Sequence, residues 1–296
     1  MNVERVIALL MMLAMTAGGW MARANGDTKA EQLMAQARAA LGGEKNLNGV
    51  KGLTATGSYQ RTMPDRQLSG EVTIDLELPD KLLRTESMSP MGDMTVVTGQ
   101  GLNGETLLRS QRALNAPPGM VVRMGAAPTG DAEAQAIRNA RADLARTVLA
   151  FLLASPASLP LEFSAGGEAE SDEGRADVID AKGAGNFAAR ILLDQKSHRP
   201  LMLIYRGVAP RVMIQQLGPP PADGARGRGE PPHDISAAPA PQLVDITLYL
   251  DDYKTVDGVL LPHRMARSID GKPAEEMTFK TIRINPAFKA DAFSTK

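Results

Sequence analysis

The 296-residue sequence is 43% hydrophobic and 23% charged, ordinary values for a globular protein. A formal net charge of -1 leaves no excess of positive charge for nucleic acid or an anionic membrane surface, and neither is expected as a partner. The absence of cysteine excludes disulfides, thiolate metal sites and a lipid-modified N-terminal cysteine.

Positions 1–24 read as an export signal. Arg5 supplies a basic start, 6–17 form an apolar run, and Ala22-Arg23-Ala24 is an A-x-A cleavage site, so the mature chain is expected to begin at Asn25. The run is short of the ~20 apolar residues that span a bilayer. Trp20, the sole tryptophan, leaves with the signal. The expected product is a soluble periplasmic protein whose core is large enough to stand without disulfides.

Next, 28–41 carries Leu33, Ala37, Ala40 and Leu41 at helical spacing, with Gly42-Gly43 as a stop. Strands are predicted over 53–61, 71–78, 81–88, 94–98 and 105–110, the second with Val72, Ile74, Leu76 and Leu78 alternating against Glu71, Thr73, Asp75 and Glu77. An Ala-rich helix follows at 131–154, with Ile137, Leu144, Val148, Phe151 and Leu152 in one stripe. It either packs on one face of a sheet or closes over an apolar cavity as a movable lid.

Strands resume at 161–164, 176–182, 187–194 and 200–206. The acidic run 166–174 reads as a solvated hairpin loop, since it lacks the ligand ladder of a calcium loop. Positions 207–242 hold eight prolines and five glycines, a composition that cannot bury enough apolar surface to order itself. They are predicted to form a flexible insertion in a single domain spanning 25–296.

The last stretch, 243–293, reads as three antiparallel strands. Val244, Ile246, Leu248 and Leu250 alternate with polar residues, Asp257-Gly258 and Asp270-Gly271 mark type I′ turns, and Pro286 ends the third strand, 277–285.

No motif specifies catalysis. Gly99-Gln-Gly101-Leu-Asn-Gly104 matches G-x-G-x-x-G, but a strand follows it instead of the helix that would meet a pyrophosphate, so its glycines are read as turn residues and no cofactor is expected. His198, His233 and His263 have no metal-site spacing, and no nucleophile elbow is present. The acidic residues fall mostly on the outward positions of alternating strands. The protein is not expected to be an enzyme or to hold a metal. His263 and Arg267 share the face of Leu261, Met265 and Ile269; Arg267 there could meet an anionic head group at a cavity mouth, whereas Arg190, Arg206 and Arg264 read as solvated edges or cross-strand ion pairs worth little.

The order helix, meander, helix, meander resembles the lipoprotein-localisation carriers of the LolA/LolB-like family. The residues that carry the resemblance are Asp252-Tyr253-Lys254, Val256-Asp257-Gly258-Val259, Leu261-Pro262, Arg264, Arg267, Asp270-Gly271 and Ile284-Asn285-Pro286. The Ala-rich helix ending in Leu41-Gly42-Gly43 and the Leu193-Asp194 before His198-Arg199-Pro200 add to it. The insertion at 207–242 stands outside the family pattern, and the missing cysteine aligns the chain with the soluble carrier. The resemblance implies an α+β fold, a strongly curved antiparallel half-barrel whose concave face is covered by helices and encloses an apolar cavity.

The implied ligand is a lipid or an acylated protein, bound by a monomer. Burying an acyl chain contributes ~0.8 kcal/mol per CH₂. The candidate cavity lining is Leu76, Leu78, Met94, Val148, Phe151, Leu152, Met202, Ile246, Leu248, Met265 and Met277, with His263 and Arg267 as polar groups at its mouth. Methionine suits a surface that must both take up and release cargo, although each of these could equally be core filler. A second reading makes the chain an interaction or sensor module of an envelope complex, with the sheet as scaffold and 207–242 as the arm that binds a protein partner.

Overall fold

Alternating apolar and polar residues build one large open antiparallel sheet. In the computed structural model, residues 23–63, 66–91, 93–117, 127–171, 174–208 and 243–294 are described. The signal at 1–24 therefore lies outside the described residues except for Arg23 and Ala24, and the insertion except for Gly207 and Val208.

Helices α1 (Arg23–Ala40) and α2 (Glu44–Gly49) precede strands β1 (Gly52–Thr62), β2 (Gln67–Glu77), β3 (Lys81–Met91), β4 (Met94–Asn103) and β5 (Thr106–Leu114). Helix α3 (Asp131–Leu152) separates these from β6 (Leu161–Ser171), β7 (Gly174–Gly183), β8 (Phe187–Asp194) and β9 (Pro200–Val208). The chain ends with β10 (Leu243–Val256), β11 (Val259–Ile269) and β12 (Lys272–Ile284). The strand order is β5-β4-β3-β2-β1-β12-β11-β10-β9-β8-β7-β6. The sheet is strongly curved but not closed, and its concave face carries the helices, which is the α+β half-barrel expected from the sequence.

The last strand is the keystone. β12 pairs with β1 on one side, from Leu53↔Ile284 to Arg61↔Glu275, and with β11 on the other. Asn285 fixes the junction at positive φ: its Oδ1 accepts from the Lys51 and Gly52 amides, and its Nδ2 donates to the Gly49 carbonyl. Asp257-Gly258 and Asp270-Gly271 all have positive φ, as type I′ turns require.

The concave face and the two long helices share one core. Leu33, Met34, Ala37 and Leu41 of α1 and Leu144, Ala145, Val148, Leu149, Phe151 and Leu152 of α3 meet Leu53, Ala55, Ile74, Leu76, Ile191 and Leu203 of the sheet. Fully burying each large side chain contributes about 1.5–3 kcal/mol. Arg38 ties the helices together. Its Nη1 donates to the Leu152 and Leu153 carbonyls at 2.9 Å each, and its other nitrogens reach Glu44 and Asn48. These bonds satisfy carbonyls left free where α3 ends in the left-handed Leu153. Arg38→Ala is expected to cost about 2 kcal/mol, read as a lowered Tm at unchanged far-UV signal.

Several sequence expectations needed correction. Gly99 and Gly101 lie inside β4, not in a turn. A Cβ on Gly101 would sit 1.9 Å from the Leu82 carbonyl oxygen, so the neighbouring backbone, not a reversal, demands glycine there. The acidic run is mostly strand: β6 continues to Ser171 through a bulge near Gly167, with Glu168 and Glu170 exposed on an edge strand. Charges on an edge discourage further strand pairing. The short helix α2 was not anticipated.

Candidate functional site

The apolar part of the site is a joint product of α3 and the sheet. Met265 on β11 and Met277 on β12 are direct partners, both buried. They belong to the same core as Leu76, Leu248, Val148, Phe151 and Leu152, with Leu78 half-buried against it. The Phe151 ring of α3 rests against Phe279 of β12 at a centroid distance of 6.0 Å. Ile246 is buried and pairs with Tyr205 and Ile269, while Met94 is buried at the start of β4.

One residue of the expected lining, Met202, and one expected at the mouth, His263, lie elsewhere. Met202 falls on the opposite face, in a separate cluster with Ala176, Val178 and Leu192, because strand alternation sends it away from its neighbour Leu203. His263 is not at a mouth. It is buried, and its Nδ1 lies 3.0 Å from the carbonyl of Leu261 on its own strand.

Arg267 instead joins a charged band on the concave face, beside the methionine pair. Arg61, Glu275 and Arg267 stand in one row across β1, β12 and β11. Arg84 and Glu86 enter from β3, opposite Ile74 and Val72. The Glu275 side chain is 3% exposed. Its Oε1 accepts from Arg61 at 2.5 and 3.0 Å and from Arg84 at 2.8 Å. Glu86 takes Arg61 at 2.9 Å and Arg84 at 2.7 Å. Arg267 reaches only 3.5 Å from Glu275 Oε2. From α3, Arg146 lies 4.0 Å over the Tyr205 ring and donates to Asp143 at 2.8 Å.

Electrostatics follow from this geometry. Burial alone would raise the Glu275 carboxyl, but the guanidiniums of Arg84, Arg267 and Arg61 outweigh it and hold the group at about 2. Burial would likewise lower Arg61 and Arg84; Glu275 and Glu86 reverse that and raise both. The Tyr205 hydroxyl is pushed up by burial, against the opposing pull of Arg267 and Arg146. Among the described residues, the buried Nε atoms of Arg84, Arg146 and Arg267, the Tyr59 and Ser268 hydroxyls and Glu275 Oε2 have no hydrogen-bond partner.

Of this band the sequence reading found only Arg267. The acidic residues were expected mostly on outward positions, but Glu86 and Glu275 point inward. The signal was present in their spacing: Glu275 has the parity of Met277 and Phe279, Arg84 that of Leu82, and Arg61 that of Tyr59. What the spacing lacked was the identity of the strands that bring them together. The other arginines form cross-strand ion pairs on interior strands. Arg190 pairs with Asp180, Arg206 with Asp245, and Arg264 with Glu276 and Asp251. Among the described residues no group of three His, Asp or Glu is placed to hold a metal ion.

No protein-family model and no curated protein matches the chain. Solved structures do. An outer membrane lipoprotein-sorting protein domain from Vibrio parahaemolyticus is 12% identical, with a TM-score of 0.43, covering 91% of this chain and 96% of its own. A DUF1329 family protein from Desulfovibrio piger is 9% identical, with a TM-score of 0.45, covering 90% and 97%. A LolA superfamily protein from Nitrosomonas europaea is 8% identical at the same TM-score and the same coverage.

Proposed function

We propose that this chain is a non-catalytic binding protein that receives the acyl chain of a lipid or lipoprotein between α3 and the concave face of the sheet. The observation that carries the reading is the shared core. The apolar stripe of α3 covers the concave side of an open sheet, and two adaptable methionines, Met265 and Met277, face each other at its centre. An acyl chain offers that surface the same chemistry as the stripe of α3. A carrier also needs a binding energy it can give back, and side chains that repack readily serve that end. The export signal expected from the sequence at 1–24 supports a periplasmic site of action. Among the described residues no helix is long and apolar enough to cross a membrane.

The test is direct. Protein purified from the periplasm should yield a bound lipid on organic extraction and mass spectrometry, and an apolar fluorescent probe should bind and be displaced by that lipid. Repeated absence of lipid, together with no probe binding, would overturn the reading.

A further inference from the structure

We propose that the charged band selects the ligand's outer end, so that the cargo is an amphipath carrying a single anionic group, a carboxylate or a phosphate, received by Arg267 and Arg146. This inference rests on the acyl-binding reading above and adds the class of head group.

The band is unbalanced. Four guanidiniums, Arg61, Arg84, Arg146 and Arg267, face three carboxylates, Glu86, Glu275 and Asp143. Arg61 and Arg84 each contact both glutamates, on Glu275 through Oε1 alone, so its Oε2 keeps only the long approach of Arg267. Arg267 is left with one contact of 3.5 Å to Glu275 Oε2, beyond good hydrogen-bond length. Arg146 gives one nitrogen to Asp143 and stacks on Tyr205. Both retain a buried Nε without a partner, and both act electrostatically on the same Tyr205 hydroxyl. Tyr205 thus carries the guanidinium from the helix on its ring and feels the one from the sheet, at the seam where an acyl chain would enter.

One anion there would bring the band to neutrality and accept from donors now idle. Guanidinium groups favour carboxylate and phosphate through paired, charge-assisted hydrogen bonds. A neutral ester of the same chain length would bury equal apolar surface yet leave the excess charge uncompensated. The apolar floor lies directly alongside: Leu248 is the cross-strand partner of Arg267, and Met265 follows on the same face. A chain threaded onto this floor therefore has its head at Arg267.

The experiment compares cis-parinaric acid with its methyl ester, by probe fluorescence on the purified full-length protein. The acid is expected to bind about tenfold or more tightly. Arg267→Gln should reduce the acid to the affinity of the ester and leave the ester unchanged, because Glu275 keeps Arg61 and Arg84 in the variant. Equal binding of acid and ester to the unaltered protein overturns the head-group inference while leaving acyl binding intact. Equal weakening of both probes by Arg267→Gln also overturns it, since Arg267 would then be structural. Binding of neither probe removes the acyl reading and this inference together. Lysophosphatidic acid and inorganic phosphate, tried as competitors, separate the sources. Displacement by the former alone supports an amphipath, and equal displacement by phosphate alone overturns it in favour of a free-anion site.

Discussion

Glu275→Gln should lower the unfolding free energy by about 3–5 kcal/mol, the usual cost of removing one partner from a buried charge cluster. The amide keeps the shape but presents no negative charge to Arg61, Arg84 and Arg267, so three guanidiniums are left facing Glu86 alone. The variant should also change the response to acid. The Glu275 carboxyl sits at about 2 in the folded protein against an ordinary value of 4.5. Because the folded value is the lower one, its contribution is fully present above about pH 4.5 and drains away as pH falls toward 2, amounting to about 3 kcal/mol. Urea unfolding of both proteins across that range is the measurement. The unaltered protein should lose stability toward pH 2 with a slope that Glu275→Gln flattens. A loss below about 1 kcal/mol at neutral pH, or an unchanged acid limb, would show that the network is not coupled to folding as the distances indicate.

Phe151→Ala should cost a further large amount, about 3–5 kcal/mol. Phe151 has 0% exposure and lies near the C-terminal end of α3, where its ring meets Phe279 across the helix–sheet seam. Truncation removes transfer free energy and leaves a void that the rigid strand beneath cannot fill. Urea unfolding at constant m-value would report it, and hydrogen exchange would locate it in 144–152, the buried half of the helix. The half nearer Asp131 is exposed and should exchange rapidly in both proteins. A cost under about 1 kcal/mol would mean that α3 spends most of its time away from the sheet, and the helix would then act as an open lid even without ligand.

Much of this architecture was legible from local pattern. The final three strands, their two Asp-Gly turns and the stripe of α3 follow from alternation, backbone chemistry and helical spacing, all of which act within a dozen residues. The curved sheet with its helix cover was likewise expected. The charged band was not, because an inward arginine looks like an outward one until its cross-strand partners are known. Arg61 and Glu275 are direct neighbours only through the β1–β12 pairing. Met202 failed for the related reason that a methionine on a strand belongs to one face or the other by a single residue of parity. Gly101 shows the same limit in the backbone, since only the approach of Leu82 reveals why a side chain is excluded.

The placement of β12 has a consequence for how the molecule comes into being. The hydrogen bond between Gly52 and Asn285 joins residues 233 positions apart, and it lies at the centre of the sheet, not at its rim. Until β12 leaves the ribosome, β1 and β11 each present an unsatisfied edge, and the five-stranded and six-stranded portions have no strand between them. The two portions therefore cannot join until β12 has been made. Contacts this remote make folding slow, and for that interval the edges of β1 and β11 are open to pairing with other strands.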